Sequence, residues 1–131
     1  MRKKILILTV IFAMFMGVAV CADTVEYDIT VNKTATQQDN LSYKVVKKDD
    51  GDNWFYVTPT YYDSDNAAFF ARSYQYSGSV YSSLVYVENG LNETRDGEYK
   101  TTAPGNVYYY MQTSYGYSAT GSVNSRGRYT P

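Results

Sequence analysis

The 131-residue chain carries 12 basic and 13 acidic side chains, no histidine and one cysteine, Cys21. That balance leaves no excess of positive charge to neutralise a nucleic-acid backbone, so no nucleic-acid partner is expected. The lack of histidine removes the serine triad, the cysteine–histidine dyad and nearly all zinc sites, and no cofactor is expected.

Arg2-Lys3-Lys4 precedes an apolar run from Ile5 to Val20 and the small-residue end Cys21-Ala22, the three zones of a secretory signal peptide with cleavage after Ala22. The run is shorter than the ~20 apolar residues of a spanning helix, so no membrane span is expected in the mature protein. Lipidation at Cys21 is the lesser reading, since Val20 is bulkier than such a site prefers. Cleavage leaves 109 residues, one domain's worth, with nine basic and 13 acidic residues and a net charge of −4. The cysteine goes with the signal, so no disulfide stabilises the exported chain.

Ile, Leu, Val and Phe number only 17 of those 109 residues, whereas all 16 tyrosines lie beyond the cleavage site. Tyrosine is therefore the packing material, burying a large ring while its hydroxyl finds a partner.

In chain order, Val25 to Asn32 alternates Val25, Tyr27, Ile29 and Val31 with polar residues, the pattern of a half-buried strand. Lys33 to Asn40 reads as a polar loop. Leu41 to Val46 predicts a second strand, with Leu41, Tyr43 and Val45 on one face, that ends in the Lys47-Lys48-Asp49-Asp50-Gly51-Asp52-Asn53 turn. Trp54 to Tyr62 is a strand with Phe55 and Val57 on one face, Trp54 and Tyr56 on the other, and Pro59 demanding an edge or a bulge. After the Asp63-Ser64-Asp65-Asn66 turn, Ala67 to Tyr76 is a strand, with a short helix as its rival. Val80 to Val87 resumes after Ser77-Gly78-Ser79. Asp96-Gly97 reads as a hairpin turn before a short strand from Glu98 to Thr102. Asn106 to Ser114 predicts a central strand with Val107, Tyr109 and Met111 on one face and Tyr108, Tyr110 and Gln112 on the other. Tyr115-Gly116-Tyr117 reads as a bend, Ala119 to Arg126 as the closing strand, and Gly127 to Pro131 as a tail that extends it or frays.

No helix-length segment has a 3.6-residue period. The fold class is all-β: a small antiparallel β-sandwich, or barrel, of seven or eight short strands over residues 23–131.

Candidate sites come from three residue types. Rigid, amphipathic tyrosines beside Ser, Gly and Asn have paratope-like chemistry, and the candidates are Tyr74, Tyr76 and Tyr81 around Ser77-Gly78-Ser79, with Tyr115 and Tyr117 around Gly116. The acidic turns, Asp49, Asp50 and Asp52 in one and Asp63 and Asp65 in the other, offer oxygens of the kind calcium binds, although the strand between them puts them at opposite ends of the sandwich. A carboxylate hydrolase would need two of Glu26, Glu88, Glu93 and Glu98 in one cleft. Asn32-Lys33-Thr34, Asn40-Leu41-Ser42 and Asn92-Glu93-Thr94 match the glycosylation acceptor by chance, because the signal peptide is bacterial in type.

In its signal peptide, its Asp52-Asn53-Trp54 approach to an alternating strand, its Gly97 to Tyr110 stretch and its closing Gly121-Ser122-Val123, the chain resembles small secreted proteins of Gram-positive bacteria grouped as a domain of unknown function. A more distant likeness is to the lactococcin 972-type bacteriocins, secreted β-sandwich proteins that attack cell-wall synthesis. This chain lacks their Gly-rich start before a tryptophan. The expectation is a secreted, non-catalytic protein that binds a glycan or protein at or outside the cell envelope through a tyrosine-rich surface, with a bacteriocin-like toxin and a carboxylate hydrolase as alternatives.

Overall fold

The computed structural model describes residues 24–34, 45–88 and 90–131, so the expected signal peptide and most of the expected Leu41–Val46 strand lie outside the described residues. Among the described residues are eight strands and no helix: β1 (Val25–Asn32), β2 (Val46–Lys48), β3 (Trp54–Tyr62), β4 (Ala68–Gln75), β5 (Val85–Glu88), β6 (Arg95–Glu98), β7 (Val107–Tyr117) and β8 (Ser122–Thr130). Where side chains alternate in sequence they alternate in burial. Tyr27, Ile29 and Val31 of β1 are buried while Glu26, Asp28 and Thr30 face water.

The strands pair antiparallel as β1·β8, β2·β7, β3·β6 and β4·β5, like a long hairpin folded back on itself with its tip between β4 and β5. Further ladders β3·β8 and β4·β7 join these pairs into a first sheet of order β1-β8-β3-β6 and a second of order β2-β7-β4-β5. This is the jelly-roll arrangement of a β-sandwich. β7 has a neighbour on each side, as its two aromatic faces predict.

The interior lies between the sheets. Phe55, Val57, Phe69, Ala71, Val87, Met111 and Val123 are buried there with Tyr27, Tyr62, Tyr99, Tyr109 and Tyr129. Each buried phenol has a partner: Tyr27 shares a hydrogen bond with Ser125 Oγ (3.3 Å), Tyr62 donates to Val87 O (2.7 Å) and Tyr109 to Pro104 O (3.1 Å). Tyr99 donates to Ser73 Oγ at 2.6 Å, and the same oxygen shares a 2.5 Å bond with Tyr129 Oη. The ring supplies apolar area and the hydroxyl is never left dry, so tyrosine does here what phenylalanine does elsewhere. Burial pushes the Tyr27 and Tyr109 phenols up to about 12 and the Tyr62, Tyr99 and Tyr129 phenols further in the same direction.

Several elements depart from the sequence-based expectation, each for a local reason. The Lys47–Asn53 turn starts later, because β2 runs through Lys48, whose side chain is fully buried. Its ammonium donates to Asp50 Oδ1 (2.7 Å) and the Pro131 backbone oxygen (3.0 Å) and lies 5.5 Å from the Tyr99 ring centroid. Asp96-Gly97 is not a hairpin turn but the middle of β6. Gly97 faces Phe55, and a Cβ there would stand 2.3 Å from Phe55 Cε1 and 2.7 Å from Val85 Cγ2. The expected Val80 to Val87 strand is regular only from Val85, with Tyr81 and Ser82 making single bridges.

Pro59 takes the bulge rather than the edge: β3 lies between β8 and β6, and its register with β8 shifts between Pro59 and Tyr61. The Tyr115–Tyr117 segment stays in β7, with Gly116 as the extra residue of a bulge opposite Ala68 and Phe69. The closing strand runs through Thr130 and sits between β1 and β3, so the tail extends it. Its weak pattern has a cause: inward-facing Gly127 pairs with Tyr27, and a Cβ there would stand 2.6 Å from Tyr27 Oη and 2.2 Å from the Thr58 carbonyl oxygen.

Candidate binding face

The outer side of the second sheet is built by the residues that β7 and β4 turn away from the core. Alternation along β7 puts Tyr108 and Tyr110 outward, and along β4 it does the same for Phe70, Arg72 and Tyr74. The register then sets Tyr74 against Tyr110 and Arg72 against Gln112. Tyr81 joins by a bridge to Tyr74, and Tyr76 by its backbone N–H to Tyr108 O at 2.8 Å.

The result is a connected aromatic cluster. The Tyr74 and Tyr81 rings stack 5.8 Å apart at 10°, Tyr110 is tilted 31° against Tyr74 at 5.7 Å, and Tyr76 meets Tyr110 edge-on at 6.5 Å. Tyr76, Tyr81 and Tyr108 are exposed. Partial burial and the neighbouring Tyr74 push the Tyr110 phenol upward, with Arg72 opposing. The Arg72 guanidinium lies 5.5 Å from the Tyr74 centroid and 5.1 Å from that of Tyr81, with Nε donating to Gln112 Oε1 at 2.5 Å. No carboxylate among the described residues pairs with it. Beside Tyr108 opens a recess of about 230 Å³ lined by Gln75, Ser77, Asn106 and Val107. The fixed rings, the cation and the recess can together hold a flat polar molecule by face contact and rim hydrogen bonds.

Tyr74, Tyr76 and Tyr81, singled out from sequence, are thus brought together. Tyr115 and Tyr117 are not part of the cluster. Tyr115 packs against the core, donating its hydroxyl hydrogen to Ser118 O (2.9 Å) and accepting from Ser118 N (2.7 Å). Tyr117 is exposed about 20 Å along β7 from Tyr110. Sequence reasoning placed Tyr108 and Tyr110 on one strand face but not in a site, and it missed Arg72. Only the register across β4 and β7 puts those three beside Tyr74.

The carboxylates of the two acidic turns lie against protein donors. Asp49 is 3.7 Å from Lys47 Nζ, Asp50 accepts from Lys48, Asp52 accepts from Tyr56 (2.7 Å) and Asp63 accepts from Asn124 Nδ2 (2.7 Å). The Tyr56 bond is lost on ionisation, which pushes that phenol up to about 12. Asp65 lines a polar cleft of about 310 Å³. Among the described residues no group of three or more acidic side chains is placed to hold a metal ion. Of the four glutamates, Glu88 and Glu93 share that cleft with Asp65. Both are largely solvent-exposed and lean on Arg95, at 4.0 and 3.0 Å. No helix of the described residues is long and apolar enough to cross a membrane. Set against protein-family models, curated proteins and solved structures, the chain matches none.

Proposed function

We propose that this is an exported, non-catalytic binding protein that works at or outside the bacterial cell envelope by laying the outer face of its second sheet on a partner. The observation that carries this reading is the solvent-facing cluster of Tyr74, Tyr76, Tyr81 and Tyr110 around Arg72. These rings sit outside the core, where packing has no need of them, and the β4·β7 pairing holds Tyr74 and Tyr110 in place so that little of their side-chain entropy is lost on contact. Export is supported by the Arg2–Ala22 leader pattern.

The test is fractionation followed by retention. The full reading frame is expressed in a Gram-positive host, and the protein is purified from the fraction that holds it and passed over isolated envelope material. The protein is expected outside the cytoplasm and retained on the column, with the double variant Tyr74→Ala/Tyr110→Ala weakened at least tenfold at unchanged circular dichroism. Equal retention of the folded double variant refutes the binding face, and a protein found in the cytoplasm refutes export.

A further inference from the structure

We infer that the partner of the tyrosine face is a polysaccharide bearing carboxylate groups, a polyuronate chain. This rests on the binding reading above and adds the ligand's chemical class to it.

The first observation is Arg72. It is a half-buried cation in the middle of the aromatic cluster, and no acidic residue among the described ones neutralises it. The exported chain carries more acidic than basic residues, yet none of the described ones forms an ion pair with this cation. The Tyr74 and Tyr81 rings lie within 5.5 Å of the guanidinium carbon, and Gln112 occupies Nε. The two Nη groups are left for a planar acceptor, and a carboxylate is the acceptor their fork fits.

The second observation is the rings themselves. Tyr81, Tyr74, Tyr110 and Tyr76 follow one another at centroid steps of 5.7 to 6.5 Å, about the width of one pyranose ring. The electron-rich face of a tyrosine meets the electropositive axial C–H groups of a sugar, and phenol hydroxyls at the rim meet its hydroxyls. The recess beside Tyr108 is smaller than a drug-sized pocket and lined by Gln75, Ser77 and Asn106, which suits a single sugar residue at one end of the chain. A protein partner fits less well. Its affinity would rest on an anchor side chain buried in a deep apolar pocket, and this face offers a run of hydroxyl-bearing rings and a recess rimmed by Gln75, Ser77 and Asn106.

The experiment is calorimetric titration of the purified protein with galacturonate and alginate oligomers, with the same oligomers after carboxyl reduction, and with polyglycerol phosphate. The wild type is expected to bind at least one of the two uronates, at least tenfold more tightly than its reduced form, and more weakly as salt rises. Arg72→Gln is expected to erase the difference between charged and reduced oligomers while still binding both, and Tyr74→Ala/Tyr110→Ala to abolish binding of either. Equal affinity for reduced and charged oligomers, an unaffected Arg72→Gln, or binding of polyglycerol phosphate in place of the uronates each overturns the inference while leaving the face a binding face. Failure to bind any uronate overturns it as well, and retention on envelope material that still depends on Tyr74 and Tyr110 would then point to a protein partner. If the tyrosine variants change neither titration nor retention, the binding face itself falls.

Discussion

Ser73 carries a disproportionate share of the interior, and replacing it tests whether tyrosine builds this core. Its Oγ accepts the Tyr99 hydroxyl hydrogen and shares a second bond with Tyr129, so Ser73→Ala strips both phenols of a partner inside a sealed space. A buried hydroxyl left unpaired costs roughly 1–3 kcal/mol. Two of them cost about 2–6 kcal/mol, a large part of the total for a domain this size. In thermal unfolding followed by circular dichroism, at about 4 °C per kcal/mol, this corresponds to a midpoint lower by roughly 8–24 °C. The remedy discriminates. Removing both phenol oxygens as well, in Ser73→Ala/Tyr99→Phe/Tyr129→Phe, takes away the groups that need partners, and the triple variant is expected to recover more than half of the loss. A triple variant as unstable as, or less stable than, the single one refutes the idea that the hydroxyls are satisfied passengers on rings that do the packing.

The raised phenols also set a pH limit. A phenol that ionises near 10 in the unfolded chain and near 12 in the folded one, as at Tyr27 and Tyr109, gives stability that is whole below pH 10 and lost as pH rises through about 12. Tyrosinate absorbance is expected to rise in two parts, exposed rings first and buried ones together with the loss of sheet signal; a single smooth titration with the sheet intact would contradict it. Gly97→Ala forces a methyl against Phe55 and Val85 and is expected to cost about 1–3 kcal/mol by urea unfolding. The same change at Gly51, which has nothing within 4 Å, should cost well under 1 kcal/mol, and equal costs would show that crowding is not the cause.

A strand whose side chains alternate cleanly was legible in the sequence: β1 has the predicted limits because each turn of the pleat carries an unambiguous apolar or polar residue, whereas β3 was bounded by the polar turns on either side of it. The misreadings share one feature, a polar or small residue facing inward. Lys48 reads as solvated until Asp50 and the Pro131 oxygen are seen closing over its ammonium. Gly97 and Gly127 read as turns or weak strand, because the rings that fill the space above them, Phe55 and Tyr27, arrive from other strands. The candidate face was half visible for the same reason. Local sequence marks Tyr74, Tyr76 and Tyr81, but Tyr110, Gln112 and Arg72 join them only through pairing between residues 40 or so positions apart.

The position of β8 has a consequence for how the protein is made. The last of the described strands in chain order is an inner plank of the first sheet, flanked by the first of them and by the proline-bulged one. Until it arrives, β1 has no hydrogen-bonding neighbour in its sheet and the tyrosines of both layers lie open. A chain built this way stays pliable while its earlier strands are made and locks only once β8 pairs between β1 and β3.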